Sequence, residues 1–516
     1  MKNLNRIIAA FIVLSTLFSC SENLLDKTPL DRLSPSTFYQ NEAQATMALM
    51  GIYNALQPNA TPSHFYQFDF MSDNGYCQHQ WQGSMEVAEW KTNSSSWAPG
   101  AKWSQDYTII TRANQLMKDI SSSSLTETIK NQMIAEAKFL RAYAYTDLIT
   151  YFGDVPLILE VQTLADAYVS RSAKNEVLTA ILKDFDDAVT VLPESYSKAG
   201  RATKGAAIAY KAKALLYNEK WTEAAAAAKQ VMDLGVYDFY PNYEDLFSEA
   251  HENNIEVIFD IQYIKTTQAQ PWPTSSLNLS EWPTANATAS LINSYYMTNG
   301  LPITDGASGF NAQDPFKNRD PRLAASVVLP GSNFGSKTFI PANDEVPCGA
   351  RPRKYADIGT SDVNNTSINT ILMRYADICL MRAEALIESG STAQEIYDLI
   401  DKVRARVAMP KVEDVEGTGL NQSQLRAIVR HERRVEFYNE GTRYADMLRW
   451  KDQSLVHDVY GYDKSKLSDP NDPAKWQFEQ IKIETRTFDS AKGWLWPIPQ
   501  SEIEINKNLL PNNPGY

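Results

Sequence analysis

Apolar residues recur at three- and four-residue spacing through much of 40–57, 104–151, 174–192, 203–234, 367–389, 392–408 and 421–450. That period gathers them on one face of an α-helix, so it predicts successive amphipathic helices and a mainly α fold. Residues 206–217, followed by Trp221 and the alanine run 224–228, predict a helical hairpin of the tetratricopeptide (TPR) kind. Small residues there let two helices approach closely, and Trp221 marks the turn. The repeat is irregular, which predicts TPR-like helical hairpins rather than a regular array; a generic helical bundle is the other arrangement the pattern allows.

Between the helical blocks the texture changes. Residues 58–103 and 265–366 are rich in Pro, Gly, Ser, Thr and Asn with little helical period, and short strands such as 256–262 fit among them. Loops beyond about 15 residues are uncommon in compact domains unless they carry a function or are disordered, and the many aromatic residues here oppose disorder. Long loops framed by helices also argue against independent domains. The expected organisation is a signal segment at 1–19 and one domain over 20–516, made of interlocking halves at 20–235 and 255–516.

The N-terminus carries Lys2 and Arg6, an apolar run from Ile7 to Leu14, and Leu17-Phe18-Ser19-Cys20. This is the pattern of an export signal ending in a lipobox, too short to span a bilayer itself. Cleavage before Cys20 would attach lipid there, and several acyl chains such as palmitate anchor firmly at about 0.8 kcal/mol per buried methylene. A secreted protein whose cleavage site happens to end in cysteine is the plainer alternative. The net charge is −13, and loss of residues 1–19 removes two positive and no negative charges, leaving −15. Such acidity opposes nucleic-acid binding, which rests on Lys and Arg neutralising phosphates. It also disfavours strongly anionic polysaccharides unless a local basic patch intervenes. Cys77, Cys348 and Cys379 are too scattered for a disulfide framework, and five histidines with no second ligand pair beside Cys77-Gln78-His79 give no expectation of a metal or cofactor.

Two constellations could carry chemistry. Glu432 and Glu436 lie one helical turn apart near the apolar stripe Leu425, Ile428, Val429, Val435, with Arg374, Arg382, Arg433, Arg434, Arg443 and Arg449 available as partners. A glycosidase pair needs two carboxyls flanking one sugar bond. Two side chains on one helix face cannot readily straddle a ring, so buried ion pairing with guanidinium forks is the expected role. No Gly-rich phosphate loop, Gly-x-Ser-x-Gly elbow or His-Glu-x-x-His pair is present. The second constellation is aromatic: Trp81, Trp90, Trp97 and Trp103 in the first loop, and Trp272, Trp282, Tyr295 and Tyr296 in or beside the second. Flat rings suit the C–H face of a pyranose, and Asp69, Asp73, Asn74, Gln78, Gln80 and Gln82 supply polar groups for its rim. Each ring taken singly could equally pack its loop onto the helices, and Trp103 and Tyr107 are assigned to packing; taken together the set predicts a binding site.

Further motifs resemble a known family. Residues 374–385 (RYADICLMRAEA), 432–437 (ERRVEF), Glu440-Gly441-Thr442-Arg443-Tyr444, Asp446-Met447-Leu448-Arg449-Trp450, Trp496-Pro497-Ile498-Pro499 and Asn512-Asn513-Pro514-Gly515-Tyr516 are similar to the conserved stretches of SusD/RagB proteins. So are Phe38-Tyr39, Gly51-Ile52-Tyr53, residues 135–143 (AEAKFLRAY) and Phe152-Gly153-Asp154-Val155-Pro156. The resemblance covers nearly the whole mature chain. It implies four TPR-like units and a lipoprotein at the outer membrane that caps a SusC-like TonB-dependent transporter, with glycan contacts in variable loops and no catalysis. On that basis the expected contacts are Asp73, Trp81, Trp90, Trp97, Trp282 and Tyr296. A transporter lid for peptides or another nutrient is the second reading, and a glycoside hydrolase the third.

Overall fold

The computed structural model describes residues 39–58, 64–267, 284–334, 337–343, 345–356, 362, 365–469 and 473–516. The predicted export signal and Cys20 lie outside the described residues, as do Trp272 and Trp282. Among the described residues no helix is long and apolar enough to cross a membrane.

Helices form where the apolar spacing predicts them. Glu42–Asn54 buries Ala45, Leu49 and Ile52 on one stripe and begins at Asn41, whose side chain accepts from the Gln44 amide. Trp97–Ser121, Glu127–Tyr151, Lys174–Val191, Lys204–Tyr217 and Trp221–Asp233 follow, each packed on its predecessor. The last two make the expected hairpin. Their turn passes through Glu219 at φ 60°, and Ala206, Ala207, Ala209, Ala212, Ala224 and Ala228 are buried where the helices meet. The series continues into the second half of the chain: Tyr375–Glu388 packs on Trp221–Asp233, then on Gln394–Ala405 and Gln422–Glu436. One apolar core runs through both halves, and a smaller one around Leu291, Tyr295, Leu323, Tyr462 and Trp476 supports the loop-rich part.

Two boundaries differ from expectation. The pattern over 367–389 begins as a strand, Thr370–Arg374, antiparallel to Val257–Ile261. The helix starts only at Tyr375, where Asp377 accepts from the Arg374 amide and caps it. Conversely, the first loop ends earlier than expected, because Trp97 already opens the helix Trp97–Ser121. Pro99-Gly100 reads as a breaker in sequence, yet proline in a first turn removes only an amide that lacks a helical partner anyway.

Among the described residues the strands pair only two by two, all antiparallel. One ladder matters for function: Gly75–Cys77 in the first loop pairs with Ala285–Ala287 in the second. The loop packs so tightly there that a Cβ on Gly75 would sit 2.5 Å from Phe70 Cδ1. The two tryptophan-bearing loops are thus stitched together at one place.

Candidate functional site

Glu432 and Glu436 project from Gln422–Glu436 into the interior and are almost fully buried. Arg322 Nη1 bridges them, 2.6 Å from Glu432 Oε1 and 2.9 Å from Glu436 Oε2. Arg404 Nε donates to the other Glu432 oxygen at 2.9 Å, and Arg374 and Arg406 take the other Glu436 oxygen. Arg374 continues the network to Glu440 at 2.7 Å and Glu256 at 2.8 Å. Burial by itself raises the affinity of both carboxyls for a proton, but the guanidiniums outweigh it: Glu432 is held below the usual range by Arg322 and Arg404, and Glu436 well below it by Arg406, Arg374 and Arg322. A glycosidase acid needs the opposite shift and an open approach for sugar. All four carboxylate oxygens accept from arginine, so the pair fastens helices together.

Asp73 has a similar fate. Arg443 grips it with both arms at 2.8 and 2.9 Å, and Arg434 Nη2 lies 3.0 Å from Oδ2. Its burial opposes ionisation, yet Arg434 and Arg443 hold it far below the usual carboxylate range. Asn74 accepts from Arg434 Nε at 2.8 Å. The predicted sugar-contacting acid therefore ties the first loop to the C-terminal helices. Trp90 is likewise inside: its indole packs against Trp494, Phe488 and Tyr444, and Nε1 donates to Gly493 O at 3.0 Å. Both residues, expected among the ligand contacts, present no open face because each is closed over by residues more than 300 positions away in the chain.

Trp81 and Trp97 are placed differently, with 55% and 46% of their surface exposed. Trp81 sits on the short turn Gln80–Gln82, its ring stacked on His79 at 5.9 Å and 20°. The turn is anchored by buried Gln82, which accepts from Gln67 Nε2 at 2.9 Å and Cys77 Sγ at 3.1 Å. Gly83, at φ 81°, then turns the chain into the helix Ser84–Ala88. Glu86 of that helix accepts from Ser96 Oγ at 2.6 Å, which fixes the residue just before Trp97. The two exposed indoles thus flank one five-residue helix. Burial lowers the proton affinity of His79, opposed by nearby Glu345, so the ring under Trp81 is neutral at neutral pH. The Gln78 amide meets Thr284 O of the second loop at 3.5 Å. Tyr296 is half-buried and stacked on His431 at 4.0 Å and 16°. His79 and Glu345 were not among the predicted contacts; the only sequence signal for His79 is its place two residues before an exposed tryptophan.

Leaving two large indoles half open on firmly held backbone forgoes apolar burial that a monomer ordinarily takes, and exposed rings on a rigid scaffold are suited to binding. The arrangement suits stacking on flat apolar faces rather than proton transfer.

Residues 255–516 match the family model described as SusD family, and residues 24–216 match one described as "Starch-binding associating with outer membrane". The chain is 26% identical to SusD-like protein P2 of Formosa agariphila over 99% of both chains. Among solved structures it is similar to a SusD-like carbohydrate binding protein from Bacteroides fragilis, 28% identical, with a TM-score of 0.82 over 92% of this chain and 100% of that one. Surface glycan-binding protein A from Bacteroides fluxus shares the fold at 21% identity, with a TM-score of 0.70 over 92% of this chain and 100% of that one.

Proposed function

Because the chain belongs to the SusD family, we propose that it is an outer-membrane glycan-binding protein that captures sugar on Trp81 and Trp97 and passes it to a SusC-like TonB-dependent transporter. The observation that carries this reading is the pair of exposed indoles on either side of Ser84–Ala88 in the chain, Trp81 on the turn Gln80–Gln82 and Trp97 at the start of Trp97–Ser121. The match of residues 24–216 to a family described as starch-binding and associating with the outer membrane, and the likeness to a carbohydrate binding protein of Bacteroides fragilis, support a carbohydrate ligand and an outer-membrane location.

Capture needs no bond to be made or broken. An indole face desolvates against the C–H patch of a pyranose, while side chains at the rim, including Gln78, Gln80 and Glu345, accept or donate to hydroxyls. Tyr296 and Trp282 extend the candidate contacts. Lipid on Cys20 would hold the protein at the membrane surface, where the transporter can take up what it collects; Cys20→Ala should then release the protein from membranes.

The direct test is native electrophoresis of residues 21–516 through gels containing neutral plant, microbial or host polysaccharides. Retardation by one polymer, lost in the Trp81→Ala/Trp97→Ala variant, is the expected result. Equal retardation of the variant would remove the site, and a peptide ligand would show as binding that no glycan competes for.

A further inference from the structure

The outer face of the helix Trp97–Ser121 carries a regular stripe. Trp97, Ser104 and Thr111 are exposed and Gly100 and Thr108 half-buried, at spacings of three and four residues that set them above one another on one side. A Cβ added at Gly100 would meet nothing within 4 Å, so the space over the helix is open between Trp97 and Ser104. Along the axis Trp97 and Thr111 stand about 21 Å apart, at about 1.5 Å per residue.

From Ser104 onward the stripe is the floor of a groove of about 500 Å³. One wall is the segment 156–169, fixed to the helix where Tyr107 donates to Pro156 O at 2.8 Å and Asn114 to Ile158 O at 3.0 Å. The other is the helix Gln500–Ile505, whose first amide donates to Ser94 O at 2.7 Å. This wall therefore starts at the residues that lead into Trp97. Asn506 donates to Val169 O at 2.8 Å and ties the two walls together.

The lining joins apolar surface to a few polar groups, as small-molecule sites do. Tyr107, Ile158, Val169 and Ile505 offer C–H and ring surface, and the hydroxyls of Ser104, Thr108 and Thr111 lie along the floor. Glu502 is half-buried here, and burial raises the proton affinity of its carboxyl; no side-chain hydrogen bond among the described residues occupies it. Arg112 lines the same groove and commits one arm to Gly51 O at 2.5 Å. One carboxylate against one guanidinium leaves the lining without net charge, which favours a neutral occupant.

We propose that this groove is a second carbohydrate subsite, in which a linear neutral glycan stacked on Trp97 continues over Gly100 and lies along Ser104, Thr108 and Thr111. The inference rests on the glycan-binding reading and adds the path of the sugar chain. A short sugar reaches either Trp97 or the groove, whereas a longer chain reaches both, so affinity depends on length.

The test is calorimetric titration of residues 21–516 with two-unit and six-unit members of the malto-, laminari-, cello-, xylo- and manno-oligosaccharide series. In a series that binds, the six-unit chain should bind at least about tenfold more tightly than the two-unit chain. Ser104→Gln/Thr108→Gln fills the groove, and Gly100→Gln stands across the path from Trp97. Both place good helix formers at open positions, so the melting temperature should hold. Each variant should cut the length advantage to about twofold or less and leave two-unit affinity unchanged. No length advantage in the native protein, an advantage that survives in either variant, or a two-unit affinity that falls with it, overturns the inference and leaves glycan binding standing. Failure of every series to bind overturns both.

Discussion

The helix Gln422–Glu436 and the turn Gln80–Gln82 each carry side chains of the kind that perform chemistry, and they lie in opposite surroundings. Glu432 and Glu436 are buried with every oxygen taken by arginine. Trp81 leaves half its ring in solvent on a turn that Gln82 holds rigid from below. The difference teaches where capacity for a ligand resides. A buried carboxylate saturated by guanidiniums has no lone pair left to offer, and breaking it strands charge in the interior. An exposed indole on fixed backbone has given up little and loses little entropy on binding.

The largest effect that probes this contrast is on stability. Glu436→Ala removes the acceptor shared by Arg322, Arg374 and Arg406 and should cost about 3–5 kcal/mol in urea unfolding, or prevent folding outright. A loss under about 1 kcal/mol would mean the network is not the fastening described. Trp90→Ala should cost about 3 kcal/mol by the cavity it leaves among Trp494, Phe488 and Tyr444, while affinity in the folded fraction stays within about twofold. If instead binding collapsed with stability intact, Trp90 would belong with Trp81. Trp81→Ala alone should weaken glycan binding about tenfold with no change in melting temperature.

The smallest effect comes from pH. Asp73 and Glu436 have folded proton affinities below their ordinary values of 3.8 and 4.5. Their contribution to stability is therefore fully present above about pH 4.5 and is lost as pH falls below it. His79, held below its ordinary 6.5, stays neutral above that value, so affinity should be flat between about pH 7 and pH 8. A melting temperature that did not drop between about pH 5 and pH 3 would contradict the assignment of these acids to the framework.

Much of this was readable in the sequence, for physical reasons that also mark where reading stops. Helical period reports a buried stripe, so the longer helices such as Glu42–Asn54, Glu127–Tyr151 and Gln422–Glu436 were legible, as were Glu432 and Glu436, whose place beside that stripe demanded cationic partners; the short helices Ser84–Ala88, Ala289–Ser294 and Pro321–Ser326, inside the expected loops, were not. The strand Thr370–Arg374 was not, because its apolar residues run straight into those of the helix it precedes. The burial of Asp73 and Trp90 was not legible, because their surroundings are made by Arg443, Arg434 and Trp494, which no local pattern joins to them. Trp81 and Trp97 carried the same composition signal as Trp90; which rings stay open is decided by tertiary packing alone.

The most direct measurement is a calorimetric titration of the polysaccharide that retards the native protein, comparing native chain with Trp81→Ala/Trp97→Ala. The account predicts an affinity at least about 30-fold weaker in the variant with an unchanged melting temperature. Unchanged affinity in a correctly folded variant would contradict it.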